Sequence, residues 1–171
     1  MHTCHRLDSK LVCMGRDALV LRSFAGLQVQ YKDTIVGPER NLSEIMMEVA
    51  PCTLTGQLVR LEPLREEHAE GLRYTGREAE TWLYMPTRPC SSLESMHEWI
   101  TDMLQLQQAG SNRPFTIIEQ ASERIIGSTS YLAISRKDYG LEIGWTWLDP
   151  DVRRTGINTE CKYLLLSHAF E

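Results

Sequence analysis

The stretch at residues 141–156, LEIGWTWLDPDVRRTG, constrains the fold of this chain more than any other part of the sequence. Its first half is an apolar run typical of a buried strand, and Asp149-Pro150 breaks that run. The second half carries two arginines and a glycine and leads into a helical pattern. The first N–H groups of a helix have no partner inside it, and the helix dipole makes that end positive. The order strand, turn, helix therefore predicts a place where an anion binds.

The composition argues against several classes of protein. The chain has 171 residues and a formal net charge of −5, whereas a general nucleic-acid-binding protein needs a basic surface. The sequence contains no run of about 18 apolar residues, so no membrane-spanning helix is predicted, and its N-terminus lacks the apolar core of a secretory signal. The five cysteines are widely spaced without a CxxC pair, which argues against a zinc ribbon and indicates a reducing, cytoplasmic setting.

Residues 1–50 differ in pattern from the rest of the chain. Their short alternating apolar runs predict one or two marginal strands, separated by turn residues around Gly37-Pro38. Met46-Met47 stands just before the regular pattern and is a candidate initiator of a shorter natural form. We therefore predict an N-terminal extension over residues 1–50 and one folded domain over residues 54–171.

The folded domain alternates between strand and helix patterns. Strands are predicted at residues 58–64, 114–119, 124–132 and 141–148, and helices at residues 65–72, 91–108 and 155–170, with a helical turn at 78–84. His68 lies on the polar side of its helix and is expected to be solvated. Gly127, inside a strand, predicts a bulge or a close backbone approach, and Gly110 is expected to end the long helix. This order predicts an α+β (mixed α/β) fold.

The loop after the last strand, residues 153–158, is the best candidate site. Gly156 leaves room for a bulky anion, and Arg153 and Arg154 lie beside it, an arrangement that suits a pyrophosphate. The alternative is a solvated basic loop in which the glycine only serves turn geometry. The loop matches neither a GxxxxGK[ST] phosphate-binding loop nor a GxGxxG dinucleotide fingerprint.

The sequence RRTGIN at residues 153–158 matches most of the Q/R-x-x-G-x-G/A pyrophosphate signature of the GCN5-related N-acetyltransferase (GNAT) superfamily. The preceding EIGWTWL, the following TGINTECKYLLLSHAFE, GSTSYL at residues 127–132 and LVRLEPL at residues 58–64 fit the same pattern. Residues 54–171 resemble the RimJ/RimL-like branch of that superfamily. The resemblance implies a central, mostly antiparallel sheet with flanking helices and acetyl-CoA as co-substrate, without a metal.

The resemblance also implies roles for individual residues. The pantetheine arm of acetyl-CoA would lie along Thr146, Trp147 and Leu148, where a backbone N–H would polarise the acetyl carbonyl. The pyrophosphate would be held by six consecutive residues: Arg153, Arg154, Thr155, Gly156, Ile157 and Asn158. An amine would attack the thioester directly, so Cys161 is expected to be a small helix-face residue and not a nucleophile.

Glu142 is the best candidate for the catalytic base, acting through a water molecule, although a residue at a strand start could equally point to solvent. Glu119 and Tyr131 are weaker candidates. The acceptor pocket is expected around residues 82–88, where Trp82 and Tyr84 form either core or pocket wall. The acceptor is a primary amine, either a protein N-terminus or a small molecule.

The chain departs from the family pattern at two points. Asn158 replaces the small last residue of the signature, and the family continues beyond this helix with another strand, a helix and a hairpin. The sequence is therefore expected to supply half of the cofactor cleft. The strand at residues 141–148 is expected to have an unpaired edge, or one paired by another segment, which favours self-association. A non-catalytic fragment that binds acyl-CoA or another protein is the alternative function, and an anion site unrelated to CoA is a weaker one.

Overall fold

The computed structural model describes residues 11–14, 50–83, 85, 87 and 89–170, and of residues 11–14 it describes the backbone alone. The six strands are β1 Leu11–Met14, β2 Leu54–Thr55, β3 Val59–Pro63, β4 Arg113–Glu119, β5 Ile125–Ser135 and β6 Gly140–Leu148. The three α-helices are α1 Ala69–Thr75, α2 Leu93–Gln108 and α3 Ile157–Phe170. Short 3-10 helices lie at Glu66–His68, Ala79–Trp82 and Pro150–Val152.

The strands form one antiparallel sheet in the order β1-β6-β5-β4-β3-β2. The predicted α+β fold with a mostly antiparallel sheet is confirmed. Strand β1 pairs with the first four residues of β6, from Leu11 opposite Ile143 to Met14 opposite Gly140. A segment from residues 1–50 thus pairs with the edge of β6 over the N-terminal part of the strand, residues 140–143.

The sheet carries one apolar core on each face. The α3-side core lies between the sheet and α3 and includes Ile117, Tyr131, Ile143, Leu148, Ile157, Cys161 and Leu165. The α2-side core lies under α1 and α2 and includes Leu64, Leu72, Trp82, Met96, Trp99, Ile100 and Trp147. Trp147 lies between two other tryptophans, with ring centroids 5.2 Å from Trp82 and 6.0 Å from Trp99. Trp82 is therefore core, which decides between the two roles that the sequence left open for it.

Strand β5 approaches β6 very closely at Gly127. This residue has a φ of 155°, and a Cβ there would lie 2.2 Å from the carbonyl oxygen of Trp147. The register between β4 and β5 also shifts at this point, because Ile117 pairs with Gly127 whereas Ile118 pairs with Ile125. The predicted bulge or close backbone approach at Gly127 is confirmed, and it brings the C-terminal half of β6 tightly against the sheet.

Helix α3 is fixed to the start of β3 by one carboxylate. Glu160 accepts hydrogen bonds from the backbone N–H groups of Gln57, Leu58 and Val59 at 2.9, 2.7 and 2.9 Å. A Cβ on Gly56 would lie 2.6 Å from the carboxyl carbon of Glu160, so only glycine allows this approach. Burial alone would raise the pKa of Glu160, but the three N–H donors lower it overall.

His68 is buried, which makes the prediction of a solvated histidine wrong. Its side chain lies in the 3-10 turn before α1 and is 6% exposed, and its Nδ1 is 2.7 Å from Thr116 Oγ1 on strand β4. Burial, together with the neighbouring Arg65 guanidinium, lowers the pKa of His68. The polar pattern of the helix pointed to solvent, but the contact with β4 could not be read from local sequence.

Candidate functional site

The loop between β6 and α3 is built on a buried carboxylate. Asp149 is fully buried, and its side chain accepts the N–H of Asp151 at 3.2 Å. The guanidinium groups of Arg124 and Arg77 lie 3.4 and 3.7 Å from its Oδ2. The sequence marked Asp149 only as a strand breaker, yet it fixes the turn that leads to the candidate site.

The two arginines of the loop have different surroundings. Arg153 donates through Nε to the Leu148 carbonyl at 3.1 Å and through Nη2 to Thr81 Oγ1 at 2.7 Å, so its side chain braces the loop against the 79–82 helix. Arg154 is exposed and has a φ of 61° in the left-handed region. Arg154 is thus the cation of the pair that points to solvent beside the helix start.

Helix α3 begins immediately after Gly156. The Thr155 hydroxyl donates to the Val152 carbonyl at 2.7 Å and accepts the N–H of Ile157 at 3.3 Å, so it caps the helix. Gly156 and Asn158 are exposed at this end. A Cβ on Gly156 would lie 3.3 Å from the flexible tip of Leu58, so that side of the glycine faces Leu58. Thr155 already accepts the N–H of Ile157 and Gly156 accepts that of Glu160, so Asn158 and Thr159 carry the first-turn N–H groups that can meet an anion.

Strand β6 contains a bulge next to this loop. Ser128 pairs with Trp147 and Ser130 pairs with Gly144, so Thr129 faces both Trp145 and Thr146. Trp145 takes a φ of 49°, which is uncommon for an aromatic residue. The bulge reverses the alternation of side chains, so that Trp145 and Trp147 pack on the α2 side while Thr146 contacts α3. The register with β5 thus passes over Trp145 and Thr146, which have no regular pairing positions.

Trp147 and Leu148 cannot offer their side chains to a ligand. The Trp147 ring lies in the α2-side core and the Leu148 side chain in the α3-side core. Only their backbone groups remain available on the outer side of β6. Beyond Ile143, no strand in the described part of the chain pairs with that side, so residues 144–148 have an open backbone edge next to the helix start.

A pocket opens on the α2 side of the bulge. It has a volume of about 200 Å³ and is lined by Met85, Thr87, Trp99, Asp102, Met103, Leu106 and Trp145. Trp145 connects this pocket to the bulge. Met85 and Thr87 fall within residues 82–88, where the acceptor pocket was expected, whereas Tyr84, Pro86 and Arg88 lie outside the described residues.

Glu142 lies on the face of β6 that bears this pocket. Its neighbours Leu141 and Ile143 belong to the α3-side core, so alternation along the strand directs Glu142 to the opposite face. One carboxylate oxygen is 3.6 Å from the position of a Cβ on Gly144. The side chain of Glu142 is half-buried, so its burial does not decide between a catalytic base and a residue that points to solvent.

The comparison with protein families identifies the domain. A sequence model of the acetyltransferase (GNAT) domain matches residues 59–171. The chain belongs to the GNAT family. This membership confirms the resemblance to the superfamily seen in the sequence, and the solved structures with a similar fold include RimL proteins. A comparison with curated protein sequences found no match.

Three solved structures show how much of the GNAT fold this chain shares with known proteins. A GCN5-related N-acetyltransferase from Brucella melitensis shares 18% identity at a TM-score of 0.63, over 75% of this chain and 59% of that one. A probable GNAT-family acetyltransferase from Chromobacterium violaceum ATCC 12472 shares 19% sequence identity at a TM-score of 0.66. The match covers 84% of this chain and 70% of that one. RimL, a ribosomal-protein alpha-N-acetyltransferase solved with coenzyme A, shares 22% sequence identity at a TM-score of 0.58. The match covers 68% of this chain and 66% of that one. The chain spans 59% of the first structure, and these likenesses show the fold.

The weaker carboxylate and hydroxyl candidates of this GNAT domain are engaged elsewhere. Glu119 accepts the Ser122 hydroxyl at 2.5 Å in the turn between β4 and β5. The Tyr131 hydroxyl is buried and donates to the Leu165 carbonyl at 2.6 Å. Cys161 is fully buried, and burial raises the pKa of its thiol to about 12, in agreement with a packing role.

One site residue was missed by sequence reasoning. Lys162 of α3 donates a hydrogen bond to Thr146 Oγ1 in the bulge, and burial lowers the pKa of Lys162 to about 8. The signal was its position beside the apolar face of α3, three residues before the buried Leu165. Among the described residues, no cluster of His, Cys, Asp or Glu suits a metal, and no helix is long and apolar enough to cross a membrane.

Proposed function

We propose that the chain is an N-acetyltransferase that uses acetyl-CoA and acetylates a primary amine by direct attack. The observation that carries the proposal is the bulge at Trp145 and Thr146. It lies between the start of α3, which suits a pyrophosphate, and the pocket on the α2 side, which suits an acceptor. Membership of the GNAT family supports the same reaction.

The residues present fit this co-substrate through their backbone. Residues 153–158 lead into the start of α3, where the N–H of Asn158 faces a pyrophosphate in this proposal and Arg154 is exposed beside it. Thr146, Trp147 and Leu148 offer the open edge of β6 to the amide groups of a pantetheine arm. When bound, acetyl-CoA supplies the activated thioester carbonyl. A backbone N–H of the bulge polarises that carbonyl, which requires no reorganisation because the strand is already fixed.

Glu142 is the proposed base, acting through a water molecule. It shares a face of β6 with Trp145, so it lies on the side from which an amine in the pocket would approach. The amine must lose a proton to attack, and a half-buried carboxylate on that side can accept it. Glu142→Gln is expected to lower kcat while leaving the affinity for acetyl-CoA unchanged.

The proposed acceptor is the N-terminal amine of a protein or peptide. The pocket has room for about one side chain, and its wall is apolar apart from Thr87 and Asp102. Asp102 is exposed at the pocket and supplies a negative charge that attracts an ammonium group before it loses its proton. RimL, which acts on a ribosomal protein, has the same fold and supports this class of acceptor. A small-molecule amine is the other acceptor to be tested.

Calorimetric titration of the full chain with acetyl-CoA tests the proposal. We expect saturable binding to the wild type and binding at least about tenfold weaker to Gly156→Trp, whose side chain would cover the helix start. Sulfate serves as the control ligand, because equal competition by sulfate and CoA would indicate an anion site unrelated to CoA. If acetyl-CoA binds neither protein, the proposal is wrong.

Release of free CoA thiol then distinguishes turnover from binding alone. We expect thiol release that depends on an added peptide with a free N-terminus and stops when that terminus is blocked. Binding of acetyl-CoA without thiol release from any peptide or small amine would support the alternative, an acyl-CoA-binding module. We place either function in a reducing, cytoplasmic setting, because the five cysteines of the sequence are widely spaced without a CxxC pair.

A further inference from the structure

Lys162 places an amine against the bulge of β6, next to the edge where acetyl-CoA is proposed to bind. Its Nζ donates to Thr146 Oγ1, and this hydroxyl lies 2.7 Å from Thr129 Oγ1 across the bulge. The amine therefore contacts the same bulge whose backbone is proposed to polarise the acetyl carbonyl. Among the described residues no carboxylate forms an ion pair with Lys162, and its hydrogen-bond partner is the Thr146 hydroxyl.

The state of this amine suits nucleophilic attack. A lysine reacts with a thioester only as the neutral amine, and an ordinary lysine is almost wholly protonated at neutral pH. Burial lowers the pKa of Lys162 to about 8, so a substantial fraction is neutral slightly above neutral pH. Thr146 can hold the neutral amine as an acceptor, which leaves the nitrogen lone pair free.

We propose that Lys162 is acetylated by the acetyl-CoA bound in its own chain, so that this chain modifies itself at the bulge. The inference rests on the proposed function for the supply of acetyl-CoA. It concerns a residue that the transfer to an external amine does not use. Neither Glu142 nor the pocket is needed for it, because Lys162 approaches from the α3 side of β6.

The reaction balances without a further reagent. The lone pair of Nζ forms a bond to the acetyl carbon, and the carbon–sulfur bond of the thioester breaks. The thiolate leaves with the electron pair and takes up the proton released from nitrogen, which gives free CoA thiol and an N-acetyl-lysine. The product is neutral, so it removes the cost of keeping an ammonium in this partly buried position.

Peptide mapping by mass spectrometry tests the proposal on the unaltered full chain. The chain has four lysines, at positions 10, 32, 137 and 162, which makes the assignment simple. After incubation with acetyl-CoA and without an acceptor, we expect a gain of one acetyl group on Lys162. The rate per chain should be the same when the protein is diluted about tenfold, because the attack occurs within one molecule.

Two variants complete the test. Lys162→Arg should reduce incorporation at least about tenfold, whereas Lys137→Arg, which changes an exposed lysine in the turn between β5 and β6, should leave it unchanged. Acetylation spread over Lys137 and the other lysines, or a rate proportional to protein concentration, would overturn the proposal. So would an unmodified Lys162 in a chain that calorimetry shows to bind acetyl-CoA, a result that leaves the proposed function standing. If acetyl-CoA does not bind at all, the proposed function and the acetylation of Lys162 are both wrong.

Discussion

At the scale of single residues, burial gives Lys162 an unusual pH dependence. Its pKa is lowered from 10.5 to about 8. Between these values the unfolded chain holds a proton on Lys162 that the folded chain has lost, so stability rises with pH across this window. Below pH 8 the folded chain must bury an ammonium. We expect Lys162→Met to raise the free energy of unfolding by about 1–3 kcal/mol near neutral pH, an amount reduced for partial exposure.

Urea denaturation at two pH values checks this expectation. The stabilisation by Lys162→Met should shrink as the pH rises from about 8 towards 10.5, because the folded wild type loses the proton of Lys162 in this window and no longer buries an ammonium. Lys137→Met is the matched control and should change the free energy of unfolding by less than about 0.5 kcal/mol at either pH. A Lys162→Met variant less stable than the wild type near neutral pH would contradict the expectation, since the bond to Thr146 would then outweigh the cost of burial.

Glu160 behaves in the opposite sense, because its folded-state pKa is lowered. Its contribution to stability is present above the ordinary pKa of a glutamate and is lost as the pH falls through the folded value. We expect Glu160→Gln to lower the free energy of unfolding by about 1–3 kcal/mol at neutral pH, because three N–H donors lose a charged acceptor. The difference from the wild type should narrow in acid, as chemical denaturation at several pH values will show.

Glu70→Gln provides the comparison for Glu160→Gln. Glu70 accepts a hydrogen bond from the guanidinium of Arg73 at 3.3 Å in an exposed pair on α1, whereas the donors to Glu160 are backbone N–H groups. An exposed pair of this kind contributes at most about 1 kcal/mol. Equal effects of the two substitutions would show that the clamp between α3 and the start of β3 adds nothing beyond an ordinary surface interaction.

At the scale of secondary structure, periodicity predicted most of the elements and missed the second bulge. The 3.6-residue apolar spacing and the serine cap predicted α2, which begins after Ser92 with a capping hydrogen bond from Ser95 N–H and ends before Gly110. Gly127 indicated its bulge, because a glycine inside a strand often marks a bulge or a close approach of another backbone. The bulge at Trp145 gave no such signal, because its left-handed φ is imposed by the pairing with β5.

The close approach of β5 and β6 makes a specific prediction for Gly127→Ala. The added Cβ would meet the Trp147 carbonyl oxygen at 2.2 Å, and backbone atoms cannot move aside without shifting a strand. We expect a loss of about 2–4 kcal/mol in the free energy of unfolding. The variant should also bind acetyl-CoA more weakly, since Trp147 carries the open edge of β6.

Gly110→Ala separates steric overlap from backbone strain. Gly110 also has a left-handed φ, 77°, but a Cβ there would meet nothing within 4 Å. We expect a cost of about 1 kcal/mol, typical of an alanine forced into this conformation after a helix, and no change in the binding of acetyl-CoA. Thermal and chemical denaturation of the two variants side by side will measure the difference.

At the scale of the whole molecule, the sequence predicted the fold but not the long-range contacts of the side chains around the candidate site. The signature at residues 153–158 indicated the loop, but Arg153 turns back to Leu148 and Thr81, 72 residues earlier in the chain. Glu160 and His68 likewise take their partners from distant segments. Local patterns specify the elements, whereas these contacts exist only after the sheet has brought the segments together.

The pairing of β1 with β6 leads to a prediction about the N-terminal extension. Residues 46–171 retain both apolar cores and the clamp at Glu160, so the shorter chain is expected to fold. It loses β1, however, and the backbone groups of Gly140–Ile143 become an unpaired edge. Unpaired edges promote pairing between chains. Sedimentation velocity should therefore show association of residues 46–171 that increases with concentration and exceeds that of the full chain.

Val12→Pro in the full chain tests whether the strand itself is responsible. Val12 lies opposite Glu142, and proline there removes a backbone N–H and is disfavoured inside a strand. We expect this variant to associate like residues 46–171, although it keeps the whole extension. If the shorter chain associates but Val12→Pro does not, the extension limits association by bulk or charge and not through pairing with β6. If the shorter chain fails to fold, residues 1–45 belong to the folded domain and cannot be treated as an extension.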